Sequence, residues 1–335
     1  MDVFSHMFFG FILGHALRLD KKRRTILIIA SVFPDLDSLS FVTGWEALFQ
    51  FHRGPSHSFL CALLIPLAMG MIYMGFLSRK SGTFSMKEFF SIVLICLGGL
   101  FGHLFLDLCT PWTTRVLWPF SNEEVTFDIT SFFDPIFLAV LFLSSILIMF
   151  MKDVKKIQII AVVALVLISV NFSIRLYEKG EAVEVVRTAD VKSVMSVPTY
   201  RPDRWWVITE TPHEDGCIYN LYSVNSLSKK IMNTRTVETL FINYEGPAEP
   251  PLDSPQEAVA YSKKDDRVSA FIRKLRLPAV EVTFDKDTWH IFWYDAFSGV
   301  GERMSNGIAV DVRVDGTLTI TLSLRGPPEK SAALI

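Results

Sequence analysis

The fold class this sequence predicts is an α-helical integral membrane domain of about six membrane segments, followed by a soluble, β-rich α+β domain. Three observations carry the prediction. Up to about residue 176 the chain is a series of apolar blocks cut by short charged loops. From Glu178 onward its composition is that of an ordinary soluble domain. Half of its 335 residues are hydrophobic and its formal net charge is only -2, which argues against nucleic-acid binding through a basic face. The expected domains are therefore 1–176 and 177–335.

Residues 59–77 carry no charge and reach about 28 Å as a helix, close to the thickness of a bilayer's hydrocarbon core. Similar blocks run from Phe89 to Cys109, from Ile136 to Met151 and from Ile157 to Ile174. Two weaker segments precede them, Val3 to Leu17 and Thr25 to about Val42, read as thin spans or re-entrant helices. The start of the chain lacks the n-region and cleavage site of a secretory signal, so the first segment is expected to be retained. Cys61, Cys96, Cys109 and Cys217 offer neither a disulfide framework nor a CxxC site.

Charge asymmetry favours six crossings. One side then receives Arg18, Lys21, Lys22, Arg23, Arg24, Arg79, Lys80, Lys87, Lys152, Lys155 and Lys156, and the short loops opposite only Arg53 and Arg115. By the positive-inside rule, the start of the chain and the C-terminal domain lie outside the cytoplasm of a cell whose inner membrane holds the protein.

In that topology ionisable residues from five stretches meet at one depth of the outer leaflet: Asp2 and His6, Asp35 and Asp37, His52 and His57, His103 and Asp107, and Asp134. Charge at membrane depth costs at least about 2.5 kcal/mol per group, so these residues must be paired, hydrated or metal-bound. His103 and Asp107 are i and i+4, which places both on one helical face; Asp2 and His6 repeat the spacing. Pro34 disfavours helix at Phe33 and is expected to open the chain so that Asp35 and Asp37 both turn inward. His52 and His57 straddle "RGPS", a turn-forming stretch. Imidazoles mixed with carboxylates suit zinc best, with manganese or iron as alternatives.

Each residue also has a plainer reading. A lone His in an apolar helix is more often a hydrogen-bonded core residue, which fits His15. Asp2 reads equally as a helix cap. Arg53 reads as a headgroup anchor or as a fork holding a substrate phosphate. Asp134 before Pro135 reads as an N-cap followed by proline at the first helical position.

With these motifs in view, the chain resembles the YdjM-like family of inner-membrane metal-dependent hydrolases, in its long bacterial form with a C-terminal domain. The matching pieces are "DVFSHMFFGFILG", "FPDLD", "FHRGPSHS", "GHLFLDLCTPWTTRVLWPFS" and "FDP", within roughly the first 140 residues. The resemblance implies a membrane-embedded hydrolase with a divalent metal. It would make His6, Asp35, His52, His57, His103 and Asp107 ligands or near-ligands, in a pattern similar to zinc-dependent phospholipases C and single-strand nucleases. The expected chemistry is attack of a metal-activated water on a phosphoryl or carbonyl centre. Asp37 or Asp134 would take the proton. A site at headgroup depth favours membrane lipids or another amphiphilic phosphoester as substrate. Two other classes compete: a non-catalytic regulator or sensor stapled by a structural metal, and a transporter using His and Asp as an ion path. The transporter is disfavoured because the polar residues cluster on one side. The oligomeric state stays open.

In the C-terminal half, "RWWVITET", "CIYNLYSV", "VEVTFD", "WHIFWYDA" and "IAVDVRVDGTLTITLSL" alternate as strands do. Asp315-Gly316 marks a hairpin turn, and one helix is expected over about 255–275. Adjacent Trp205 and Trp206 must send one ring to each sheet face. His213 and His290 lack ligand-like neighbours and are expected to be structural.

Overall fold

The computed structural model describes residues 1–43, 47, 51–81, 85–187, 194–213, 216–297 and 307–323. Among the described residues, the helices of the N-terminal part are α1 Val3–Ala16, α2 Lys21–Val32, α3 Phe59–Ser81, α4 Met86–Leu108, α5 Pro135–Phe150 and α6 Val154–Val186. Their starts follow elementary capping chemistry. Asp2, Asp20, Ser85 and Asp134 each accept hydrogen bonds from first-turn backbone N–H groups. Pro135 takes the first helical position, where no N–H is needed.

Among the described residues, four stretches are long and apolar enough to cross a membrane: Lys21–Thr43, Phe59–Arg79, Met86–Leu108 and Val154–Val186. Val3–Ala16 and Pro135–Phe150 are shorter apolar helices. The ranking therefore differs from the sequence expectation at two places. The block after Ile136 forms only 16 residues of helix, about 24 Å. The second segment is longer than it looked because Pro34 does not open the chain. Phe33 stays right-handed helical, and Phe33–Thr43 continues α2 as a 3-10 helix.

Small residues set the spacing of α1, α2 and α4. A Cβ on Gly99 of α4 would sit 2.8 Å from the Ala30 Cβ and 2.9 Å from the Leu27 carbonyl oxygen of α2, and one on Gly10 of α1 would lie 3.0 Å from the Ser31 Cβ. Only hydrogen at these positions lets the three backbones approach this closely. Leu27, Ala30, Cys96, Leu100 and Leu104 are buried on the facing surfaces. The close approach brings the 3-10 continuation of α2, which carries Asp35, against His6 of α1 and His103 of α4.

The chain divides into two compact units, the first made of Met1–Glu181 and Val197–Trp205. Buried Arg175 holds the second piece of that unit: it donates to the carbonyls of Thr199 and Pro202 and its guanidinium lies 4.8 Å from the Trp205 ring centroid. The other unit contains the described parts of Ala182–Ser196 and Trp206–Ile335.

Among the described residues, eight strands form two four-stranded sheets of simple order, β1-β2-β3-β4 and β5-β6-β7-β8. Their ranges are β1 Val194–Pro198, β2 Arg204–His213, β3 Gly216–Asn225, β4 Lys230–Thr239, β5 Pro278–Asp285, β6 Thr288–Asp295, β7 Gly307–Arg313 and β8 Leu318–Ser323. The hairpin at Asp315-Gly316 is present, with Gly316 at φ +89 as such a turn requires. Leu324, the last residue of the predicted final strand, lies outside the described residues. Trp205 is fully buried and Trp206 partly so, one on each face. His213 pairs with Glu238 and His290 with Asp311.

Two features escaped the sequence reading. β1 and β4 were not expected; β4 is largely solvent-facing and offers no apolar alternation. The single helix over 255–275 is two, α7 Pro255–Ser262 and α8 Asp266–Lys274, because Asp265 caps a new start through the Arg267 N–H.

Candidate metal centre

His6, Asp35, His103 and Asp107 are buried, and one ligand atom from each lies within 4.8 Å of those from the others. His103 and Asp107 come one turn apart at the end of α4. His6 lies in the first turns of α1, and Asp35 in the 3-10 turn after α2. His57 joins them from the short 3-10 turn Pro55–His57, its Nε2 standing 3.1 Å from His103 Nε2, 3.3 Å from Asp107 Oδ2 and 3.6 Å from Asp35 Oδ1.

The second partners of the two facing imidazoles fix their tautomers. His103 Nδ1 lies 2.8 Å from the Ser31 carbonyl, which can only accept, so Nδ1 carries the proton. His57 Nδ1 lies 2.9 Å from Asp37 Oδ2, again an acceptor. Both Nε2 atoms therefore turn lone pairs towards the same space, where two carboxylates also converge. Such an arrangement must share a cation, a proton or a metal ion. With a proton, burial opposes the charge on His57, but Asp107, Asp35 and Asp37 outweigh it and push its pKa up to about 10.

Metal fit can be judged from donor spacing. A tetrahedral ion bound at about 2.1 Å sets its donors about 3.4 Å apart. His103 Nε2 lies 3.4 Å from Asp107 Oδ2 and 3.6 Å from Asp35 Oδ1, which together with the His57 distances match that spacing. Asp35 Oδ2, Asp107 Oδ2 and His6 Nδ1 are buried without hydrogen-bond partners, which is costly unless an ion or similar group satisfies carboxylates of this kind. Nitrogen and oxygen donors in this mixture suit a transition metal.

Asp37 lies one layer out. Its Oδ1 meets His52 Nδ1 at 2.7 Å, while Oδ2 accepts from Ser56 Oγ, from the Arg53 N–H at 3.2 Å and from His57. Asp35 and Asp37 thus do not act as a pair: on the 3-10 helix one faces the cluster and the other orients its histidine. His52, expected as a ligand, is instead joined to Asp37, which stands between it and the cluster.

Arg53 also differs from expectation. It is 1% exposed and its backbone is left-handed, φ 54, directing the side chain inward. Nη2 donates to Asp107 Oδ1 at 2.8 Å, and Nη1 donates to Thr110 Oγ1 at 3.1 Å and to the Trp112 carbonyl at 2.6 Å. With both ends of its fork occupied, it holds a cluster carboxylate rather than a substrate phosphate or a lipid headgroup. The Met1 amine donates to the same Asp107 Oδ1.

Asp134, expected to take a proton, caps the Ile136 and Phe137 N–H groups with Oδ1 and faces Arg175 Nε at 3.5 Å with Oδ2. Capping accounts for Oδ1, and the Arg175 guanidinium is what Oδ2 faces. Asp2 likewise caps Ser5 instead of chelating with His6. His15 pairs with Arg24, away from the cluster. The sequence reading missed the Ser31 carbonyl and Ser56. A backbone acceptor has no residue-type signal, although Ser56 was legible as the residue beside His57.

The family model described as YdjM inner membrane protein matches residues 1–181, the stretch that contains every residue of the cluster. The uncharacterized protein YfhP of Bacillus subtilis (strain 168) is 22% identical over 312 residues, covering 88% of this chain and 86% of its own length. At that coverage the alignment reaches beyond residues 1–181 into the C-terminal part of the chain. No solved structure matches.

Proposed function

The chain belongs to the YdjM inner membrane protein family, and from that premise we propose that it is a membrane-bound, metal-dependent hydrolase acting on an amphiphilic phosphoester at the extracytoplasmic surface. One observation carries the reading: two histidine lone pairs and two carboxylates converge in a buried space with the donor spacing of a transition-metal site. The donor set favours zinc. Such an ion supplies Lewis acidity and brings the pKa of a bound water down to about 7.

The chain's own residues would do the rest. Ser31 and Asp37 hold the imidazoles of His103 and His57 in register, and Arg53 fixes Asp107. His52, carried by Asp37 and 14% exposed in its side chain, occupies the rim, where a group could exchange protons with substrate.

The amphiphilic substrate class draws support from an apolar cleft of about 560 Å³ lined by Phe9, Leu13, Phe105, Leu106, Leu165 and Phe172 among others. This volume falls within the range of ligand pockets, about 300–1,000 Å³. Phe9 follows His6, and Leu106 follows His103, by three residues, so cleft and cluster share faces of α1 and α4. Ser169 and Ser173 also line the cleft, but both hydroxyls are used on carbonyls of their own helix. Hydrocarbon is the chemistry that suits such walls.

Detergent-purified protein should contain a stoichiometric transition metal and hydrolyse long-chain phosphoesters, and His103→Ala should lose metal and turnover together. Parent protein without metal, or a His103→Ala variant as active as the parent, would refute the reading. Ser169→Trp, which fills the cleft from an exposed position, should slow long-chain substrates several-fold and spare short-chain ones. Equal slowing of both would remove the cleft from the account.

The second reading is a structural staple in a regulator, favoured by the complete burial of His6, His103 and Asp107. Structural sites have all coordination positions filled by protein, whereas catalytic ones keep a position for solvent.

A further inference from the structure

The two central carboxylates do not each turn one oxygen to all the histidines; they divide their oxygens between two groups. Asp107 presents Oδ2 to His57 Nε2 at 3.3 Å and His103 Nε2 at 3.4 Å, but Oδ1 to His6 Nε2 at 3.2 Å. Asp35 divides the same way: Oδ1 lies 3.6 Å from both His57 Nε2 and His103 Nε2, while Oδ2 is 3.9 Å from His6 Nε2. A single ion would draw one oxygen of each carboxylate towards a common point. The observed division is that of two carboxylates bridging two ions.

We infer that the cluster is a dinuclear metal centre. The first position is held by His57, His103, Asp35 Oδ1 and Asp107 Oδ2. The second is held by His6, Asp35 Oδ2 and Asp107 Oδ1. Asp35 Oδ2, buried and without a hydrogen-bond partner, is the unexplained atom that the second position accounts for. Asp107 Oδ1 also accepts from Arg53 Nη2 and from the Met1 amine, cationic donors with which an ion at the second position would have to share that oxygen.

The two positions are not equivalent. Four protein donors close the first, as in structural sites, and three leave the second open, as in catalytic ones. Two ions held by these residues would supply the positive charge that displacement at a phosphoester calls for. The inference rests on the metal reading of the same cluster and deepens it by giving the number of ions and the ligands of each.

The test strips the full-length purified protein with a chelator and reloads it with Mn²⁺, followed by elemental analysis and electron paramagnetic resonance. Two ions per chain with an exchange-coupled spectrum are expected. His6→Ala should retain one ion and give the spectrum of an isolated Mn²⁺, and His57→Ala, altering the other position, should also lose the coupled signal. Melting curves of both variants show whether each is folded. One ion in the parent, or a coupled spectrum that persists in His6→Ala, overturns the dinuclear centre and leaves the mononuclear reading standing. No bound ion in the parent overturns both.

Discussion

Asp37 shows how much one side chain outside the cluster can govern. It receives His57 Nδ1 at 2.9 Å and His52 Nδ1 at 2.7 Å, and so sets which nitrogen of each ring is bare. Partners of this kind typically change metal affinity 10–100-fold. Asp37→Asn should therefore weaken metal binding by about that factor while leaving the number of ions at saturation unchanged, as read by competitive titration with a chelating dye. Unchanged affinity would mean that Asp37 is only a turn residue. Arg53 governs Asp107 in a similar way, through a backbone conformation that few non-glycine residues adopt.

At the scale of elements, the centre depends on how closely α2 fits between α1 and α4. Gly99 gives α4 its approach to Ala30 and Leu27, and four residues later the same helix presents His103. Gly99→Leu would push α2 away and cost about 1–3 kcal/mol by overpacking. It should lower both the melting temperature and the metal content, although residue 99 touches no ligand. A variant with full metal content and reduced stability would separate helix packing from site assembly. The 3-10 continuation Phe33–Thr43 works at the same scale: its tighter turn sends Asp35 to the cluster and Asp37 to the histidines behind it.

For the whole molecule, the Lys/Arg asymmetry of the loops leads to the expectation that the loop between α4 and α5 faces the extracytoplasmic side. Phe120, in the loop between α4 and α5, is 85% exposed, and Phe120→Cys tests that placement. A membrane-impermeant maleimide should label it in cells whose inner membrane is still sealed. Labelling only after the inner membrane is broken would reverse the orientation.

The sequence alone determined the apolar blocks, the alternating strands and the ligand-type residues, because hydropathy period and residue chemistry are local properties. His6, Asp35, His57, His103 and Asp107 were legible from type and spacing within their own segments. Tertiary structure decided what each does. Only tertiary packing could put Asp37 and Arg53 one layer behind the cluster, join His52 to Asp37, and turn Asp134 at the start of α5 to Arg175 of α6. Those outcomes depend on distances between residues remote in sequence, and no local pattern encodes which carboxylate oxygen faces which imidazole.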